Sequence, residues 1–135
     1  MNKNFNLLEE IINKNKDNEI IFSEDKNNGE KHNSVINSGI LIVKNSEYTK
    51  KLVKYWLTKE CLDKRIDGFN DQGCMRYTHK ENIFDLKDNS VILPFGELQT
   101  FNVDNYNNSL IVHMAGRDKE KRIKTMDKLK KLYFK

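Results

Sequence analysis

The chain has 135 residues, 37% hydrophobic and 33% charged, with a net charge of +4, which fits one domain able to bury roughly two-thirds of its unfolded surface. No run reaches the ~18 apolar residues of a membrane-spanning helix, and the opening Met1-Asn2-Lys3-Asn4-Phe5 lacks the apolar stretch of a signal peptide. Cys61 and Cys74 have neither C-x-x-C spacing nor nearby paired histidines, which excludes the usual zinc patterns and predicts two free thiols.

The first expected element is a short helix over 5–14, because Leu7, Leu8, Ile11 and Ile12 fall on one face. Glu19-Ile20-Ile21-Phe22-Ser23 has the apolar run of a buried strand. Residues 24–34 form a charged loop without an apolar anchor. Residues 35–43 carry the strongest strand signal, a β-branched run interrupted by Asn37-Ser38-Gly39. A glycine inside a strand marks a bulge or a close approach of backbone to another group. Asn45-Ser46 starts a helix, with Glu47 in the turn where the helix dipole favours a carboxylate. That helix is predicted to reach Leu62 and to bury Tyr48, Leu52, Val53, Trp56 and Leu57. Asp67-Gly68 reads as a turn, and Asn70 or Asp71 as the cap of a helix through Tyr77. Short strands are expected at 83–86, 91–93 and 110–113, the second ended by Pro94. From Asp118 onward an amphipathic helix is predicted on Ile123, Met126, Leu129 and Leu132 or Tyr133. Helices alternate with strands, so the fold class is α/β, a mixed sheet flanked by helices. No linker divides the chain, and residues 1–135 are read as one domain with a basic helix at 118–135.

Charge is uneven. Residues 117–135 hold nine Lys/Arg and three Asp/Glu, a net +6, so the rest sums to −2. A basic tail of this kind is either the solvated face of a helix or a contact for phosphate-bearing partners. Nucleic-acid binding is one reading of it, but no base-reading motif or interleaved aromatics accompany the tail.

Four motifs occur in a fixed order: Asn37-Ser38-Gly39 within an apolar strand, followed by a helix carrying Trp56; Asp71-Gln72 opening the next helix; Ile92-Leu93-Pro94, a loop and Phe101-Asn102; and Val112-His113-Met114-Ala115-Gly116 closing a strand. Over residues 19–120 this series resembles the second half of retaining glycosyltransferases of the A-type fold, the galactosyl-, mannosyl- and xylosyltransferase kind. The D-x-D motif that such enzymes carry before this part has no counterpart in the sequence. The resemblance therefore implies a partial fold: a fragment, a truncated product, or a chain whose first half is a separate polypeptide. Its sheet is expected to have short strands and one exposed edge.

The same resemblance implies a nucleotide-sugar donor (UDP- or GDP-linked), a glycan or glycoprotein acceptor, and a divalent metal such as Mn2+, in the Golgi lumen or the cytoplasm. It makes His113 a metal ligand, which suits a neutral imidazole at a strand end. Gly116 would let backbone pass close to the diphosphate, with Lys119 adding positive charge there. It places Asp71 and Gln72 at the donor sugar as catalytic groups acting by position and electrostatics, and Asn37, Ser38 and Gly39 on the floor of the cleft. Plainer readings stand beside these: a hydrogen-bonded strand-end histidine, a helix cap, and a bulge kept for packing. A non-catalytic remnant or binding module of the same fold is the alternative that the missing D-x-D leaves open.

Overall fold

A computed structural model describes residues 3–25, 36–66, 70–101, 109–114 and 118–133. Helix α1 (Lys3–Lys14) leads into β1 (Ile20–Glu24) and β2 (Ile36–Val43), followed by α2 (Glu47–Trp56), α3 (Lys59–Asp63) and α4 (Asn70–Lys80). A 3-10 turn (Ile83–Asp85) precedes β3 (Ser90–Leu93), β4 (Gln99–Thr100), β5 (Ile111–Val112) and the C-terminal helix α5 (Lys119–Tyr133). β1 lies between an antiparallel β2 and a parallel β3, and β4 pairs with β5 in a separate parallel ladder. The mixed sheet with flanking helices agrees with the alternation of elements in the sequence. Among the described elements β2 and β3 are its outer strands.

β1 is the centre of the core because both of its faces are covered, which is why its sequence is apolar without alternation. Ile20 and Phe22 face a cluster with Ile36, Leu52, Trp56, Cys61, Cys74 and Leu86. Ile21 faces the other way, against Ile11 of α1, Leu93 and Leu98. Each fully buried side chain of this size contributes about 1.5–3 kcal/mol. Trp56 is core, as its place on the helix stripe suggests, and its indole N–H donates to Thr78 Oγ1 at 3.1 Å. Cys61 and Cys74 are buried free thiols.

Ser46 caps α2 by a reciprocal box with Thr49. The single helix expected over 46–62 is broken, however. The Leu57 N–H folds back onto Lys54 O. The Thr58 hydroxyl donates to Tyr55 O and accepts from the Cys61 N–H, so a second helix begins there. A threonine hydroxyl that bonds local backbone competes with helix continuation in this way. Leu57 is left 77% exposed, and Val53 is exposed as well.

Residues 83–86 are not a strand. Asn82, Phe84 and Asp85 have φ of 51°, 59° and 55°, values that no strand accommodates. Tertiary contacts hold them there: Tyr48 Oη donates to Phe84 O at 3.1 Å, and the Tyr55 and Phe84 rings meet edge-on at 5.4 Å. β1 also runs further than expected. Glu24 completes it and accepts from the Phe95 N–H at 2.9 Å, and Asp25 is buried by an ion pair instead of lying in an unanchored loop. α4 reaches Lys80, one turn beyond Tyr77. The expected turn at Asp67-Gly68 lies outside the described residues. In α5, Ile123 and Met126 are 48% and 58% exposed while Thr125 is buried. Apolar residues spaced by three drift about 60° per step round a helix, so this stripe winds and cannot all face the core.

Candidate functional site

The break in the β1/β2 ladder creates the site. Phe22 pairs with Leu41 and Ser23 with Asn37, so Ser38, Gly39 and Ile40 have no partner across the ladder. Such a bulge re-aims the residues it carries, and here it turns them toward two other segments.

One segment is the first turn of α4. The Ser38 N–H donates to Gln72 Oε1 at 3.0 Å, and Ser38 Oγ donates to Asp71 Oδ2 at 3.2 Å and approaches Gln72 Oε1 at 3.4 Å. Because the Ser38 N–H can only donate, the Gln72 carbonyl must face it. Its amide Nε2 is then the free end, without a hydrogen-bond partner among the described residues. Gln72 is nearly buried and Asp71 exposed. Both lie inside the helix's first turn, so Asp71 is not the helix cap that the sequence suggested as the plain alternative. α4 is held against β2 by Arg76, whose Nε donates to Ile36 O at 2.9 Å and whose Nη2 lies 2.5 Å from Asp25 Oδ2. Both partners of this ion pair are buried.

The other segment is the end of β5. His113 N–H donates to Thr100 O at 2.8 Å, and its Nδ1 lies 2.6 Å from Gln99 Oε1. The Phe101 ring meets the imidazole edge-on at 5.7 Å. Burial pushes the His113 pKa below its ordinary value, so the ring is neutral at pH 7. The imidazole lies directly against Gly39: a Cβ there would sit 2.0 Å from His113 Cε1 and 2.8 Å from Asn37 Oδ1. The Gly39 N–H is occupied by Asn37 Oδ1 at 2.8 Å. The glycine thus marks both a bulge and a close approach.

Asn37, Ser38, Gly39, Asp71, Gln72 and His113 therefore come together, from three segments remote in sequence. Lys119 is exposed at the start of α5, outside this set, and Gly116 lies outside the described residues. No group of three His, Cys, Asp or Glu side chains able to hold a metal occurs among the described residues. His113 is the one member of the set with a nitrogen suited to a metal, its Nε2. Gln99, Arg76 and Asp25 were not singled out from the sequence. Gln99 sits two residues before Phe101 of the third motif, and that adjacency was its only signal. Charged residues such as Arg76 and Asp25 read as solvated in a sequence.

The family described as nucleotide-diphospho-sugar transferase matches residues 1–133. No curated protein and no solved structure matches the chain. A match over nearly the whole length, with the ordered motifs folded into one cluster, leads to a single statement: the chain belongs to the nucleotide-diphospho-sugar transferase family.

Proposed function

We propose that the chain is a sugar-transfer unit that uses a UDP- or GDP-linked donor, transfers the sugar with retention to a glycan or glycoprotein acceptor, and works with a divalent metal such as Mn2+. One observation carries this reading: the β2 bulge ties the first turn of α4 to the end of β5, so that Asp71, Gln72 and His113 border one place. Family membership supports the nucleotide-sugar donor.

The residues fit a metal in a limited way. A neutral imidazole whose Nδ1 is engaged has its Nε2 lone pair to offer, which suits one coordination position. The other positions would fall to diphosphate oxygens and to other oxygen ligands. A bound divalent ion would neutralise the charge on the diphosphate leaving group. Gln72, with its carbonyl tied to Ser38, directs its amide N–H groups at an oxygen of the donor. Asp71 has a second carboxylate oxygen to accept from sugar hydroxyls. The Gln72 dipole thus helps to orient the sugar, and the Asp71 carboxylate stabilises positive charge developing at its anomeric carbon. Ser38 and Asn37 floor the cleft, with Gly116 and Lys119 assigned to the diphosphate.

Calorimetric titration with UDP and GDP, with and without Mn2+, tests the reading on the wild type and His113→Ala. We expect metal-dependent binding of one nucleotide that the substitution abolishes. Binding that persists in His113→Ala, or that ignores the metal, overturns the role of His113. No binding of either nucleotide overturns the donor site.

A further inference from the structure

We propose that Gln99 is a positioning residue for His113: its side-chain carbonyl accepts the Nδ1 proton and so fixes the tautomer in which Nε2 carries the lone pair. Residue 99 is not one of the residues that make up the four motifs, although it stands two positions before Phe101.

The backbone brings the two side chains together. Gln99 pairs with Ile111 and Thr100 with Val112 in the parallel β4/β5 ladder, and the His113 N–H extends that ladder onto Thr100 O. The imidazole has little freedom to turn away. Gly39 lies close enough on one side that a methyl group would overlap the ring, and Phe101 meets it edge-on. In this confined position Nδ1 reaches Gln99 Oε1 at 2.6 Å, and Nε2 has no hydrogen-bond partner among the described residues. A carbonyl can only accept, so Nδ1 carries the proton and Nε2 is bare. An amide or carboxylate acting on one ring nitrogen in this way sets what the other can do.

The burial of Gln99 makes the same point energetically. The residue is fully buried, and its Nε2 has no hydrogen-bond partner among the described residues. An unmet buried donor is costly, and an apolar side chain of similar shape would avoid the cost. Among the described residues, the side chain's one polar contact is His113. For stability alone a leucine would serve at least as well, so what the glutamine supplies is the acceptor at Nδ1.

The tautomer is a property of the ligand-free protein and can be read without any donor. That the bare Nε2 faces a metal rests on the donor-site reading above. Long-range 1H–15N spectra of the histidine rings in the full chain, recorded at pH 8 and assigned by the signal lost in His113→Ala, report which nitrogen holds the proton. We expect Nδ1–H in the wild type, retention of Nδ1–H in Gln99→Glu, and a shift toward Nε2–H in Gln99→Leu. The leucine variant should unfold at the same urea concentration as the wild type or higher. Nε2–H in the wild type overturns the proposal, as does a tautomer unchanged by Gln99→Leu. If the leucine variant fails to fold, the proposal is overturned as well, because the glutamine is then a structural requirement. Where Mn2+-dependent UDP or GDP binding exists, Gln99→Leu should weaken it about 10–100-fold. A tautomer that shifts as expected in a protein that binds no nucleotide overturns the donor site and leaves the role of Gln99 standing.

Discussion

Replacing Gly39 by alanine is the sharpest probe of the cluster, because it adds one methyl at its centre. That methyl would lie 2.0 Å from His113 Cε1 and 2.3 Å from Nδ1, where ordinary contact begins at 3.4 Å. The ring or the bulge must therefore give by about 1.4 Å along the Cε1 direction. The His113 backbone is pinned to Thr100, so the ring swings off Gln99 or β2 backs away from α4, and either movement separates groups that the proposed function uses together. Overpacking of this kind costs about 1–3 kcal/mol, which a domain stable by about 5–15 kcal/mol survives. Misplacement of about 1 Å lowers a catalytic or binding function on the order of 100-fold. Backbone strain contributes nothing, since the φ of Gly39 lies outside the left-handed region. Gly96 supplies the control: its φ is 110° and a methyl there would meet no atom within 4 Å. Gly96→Ala should destabilise through its backbone and leave the His113 ring signals in place. Urea unfolding followed by the single, buried Trp56 gives the stability, and the ring signals of His113 give the displacement. A Gly39→Ala protein with wild-type stability and unmoved His113 signals would refute the reasoning.

Two further outcomes are expected. Arg76→Ala leaves the Asp25 carboxylate buried without its guanidinium and should cost about 3–5 kcal/mol, while the apolar pair Arg76→Met with Asp25→Leu should recover most of it; a loss below about 1 kcal/mol in urea titration of Arg76→Ala would contradict the pairing. Burial, reinforced by a hydrogen bond with Cys61, pushes the Cys74 thiol up to about 12. Neither buried cysteine should react with iodoacetamide at pH 8 until the protein is unfolded, and stoichiometric labelling of the native chain, read by mass spectrometry, would show the thiols to be accessible.

The sequence carried the elements that rest on local signals. β1 and β2 are written as apolar and β-branched runs, and α2 begins at a serine that forms a capping box. It misled where distant contacts decide the local shape. Ile83-Phe84-Asp85-Leu86 has the composition of a strand, but Tyr48 and Tyr55 hold Phe84 in a left-handed turn. β4 is two residues long and exists only by pairing with β5, so no periodicity announces it. Within the candidate site, the coming together of Asn37-Ser38-Gly39, Asp71-Gln72 and His113 was legible because they stand in motifs of recognisable order. Gln99 belongs to no motif, and the Arg76–Asp25 pair spans 51 residues. The importance of these residues comes from what folding places beside them.

The bulge in β2 also changes the phase of the strand. On its N-terminal side even-numbered Ile36 points into the cluster of Phe22 and Trp56, whereas beyond it odd-numbered Leu41 packs there and Ile40 and Ile42 face α1's side of the sheet. The number of residues between Asn37 and Leu41 therefore decides which face each half of β2 presents. A relative that gained or lost one residue there would have to exchange apolar and polar positions along half the strand. A change of two would keep both faces and alter only how far the loop of Ser38 and Gly39 reaches toward α4 and His113.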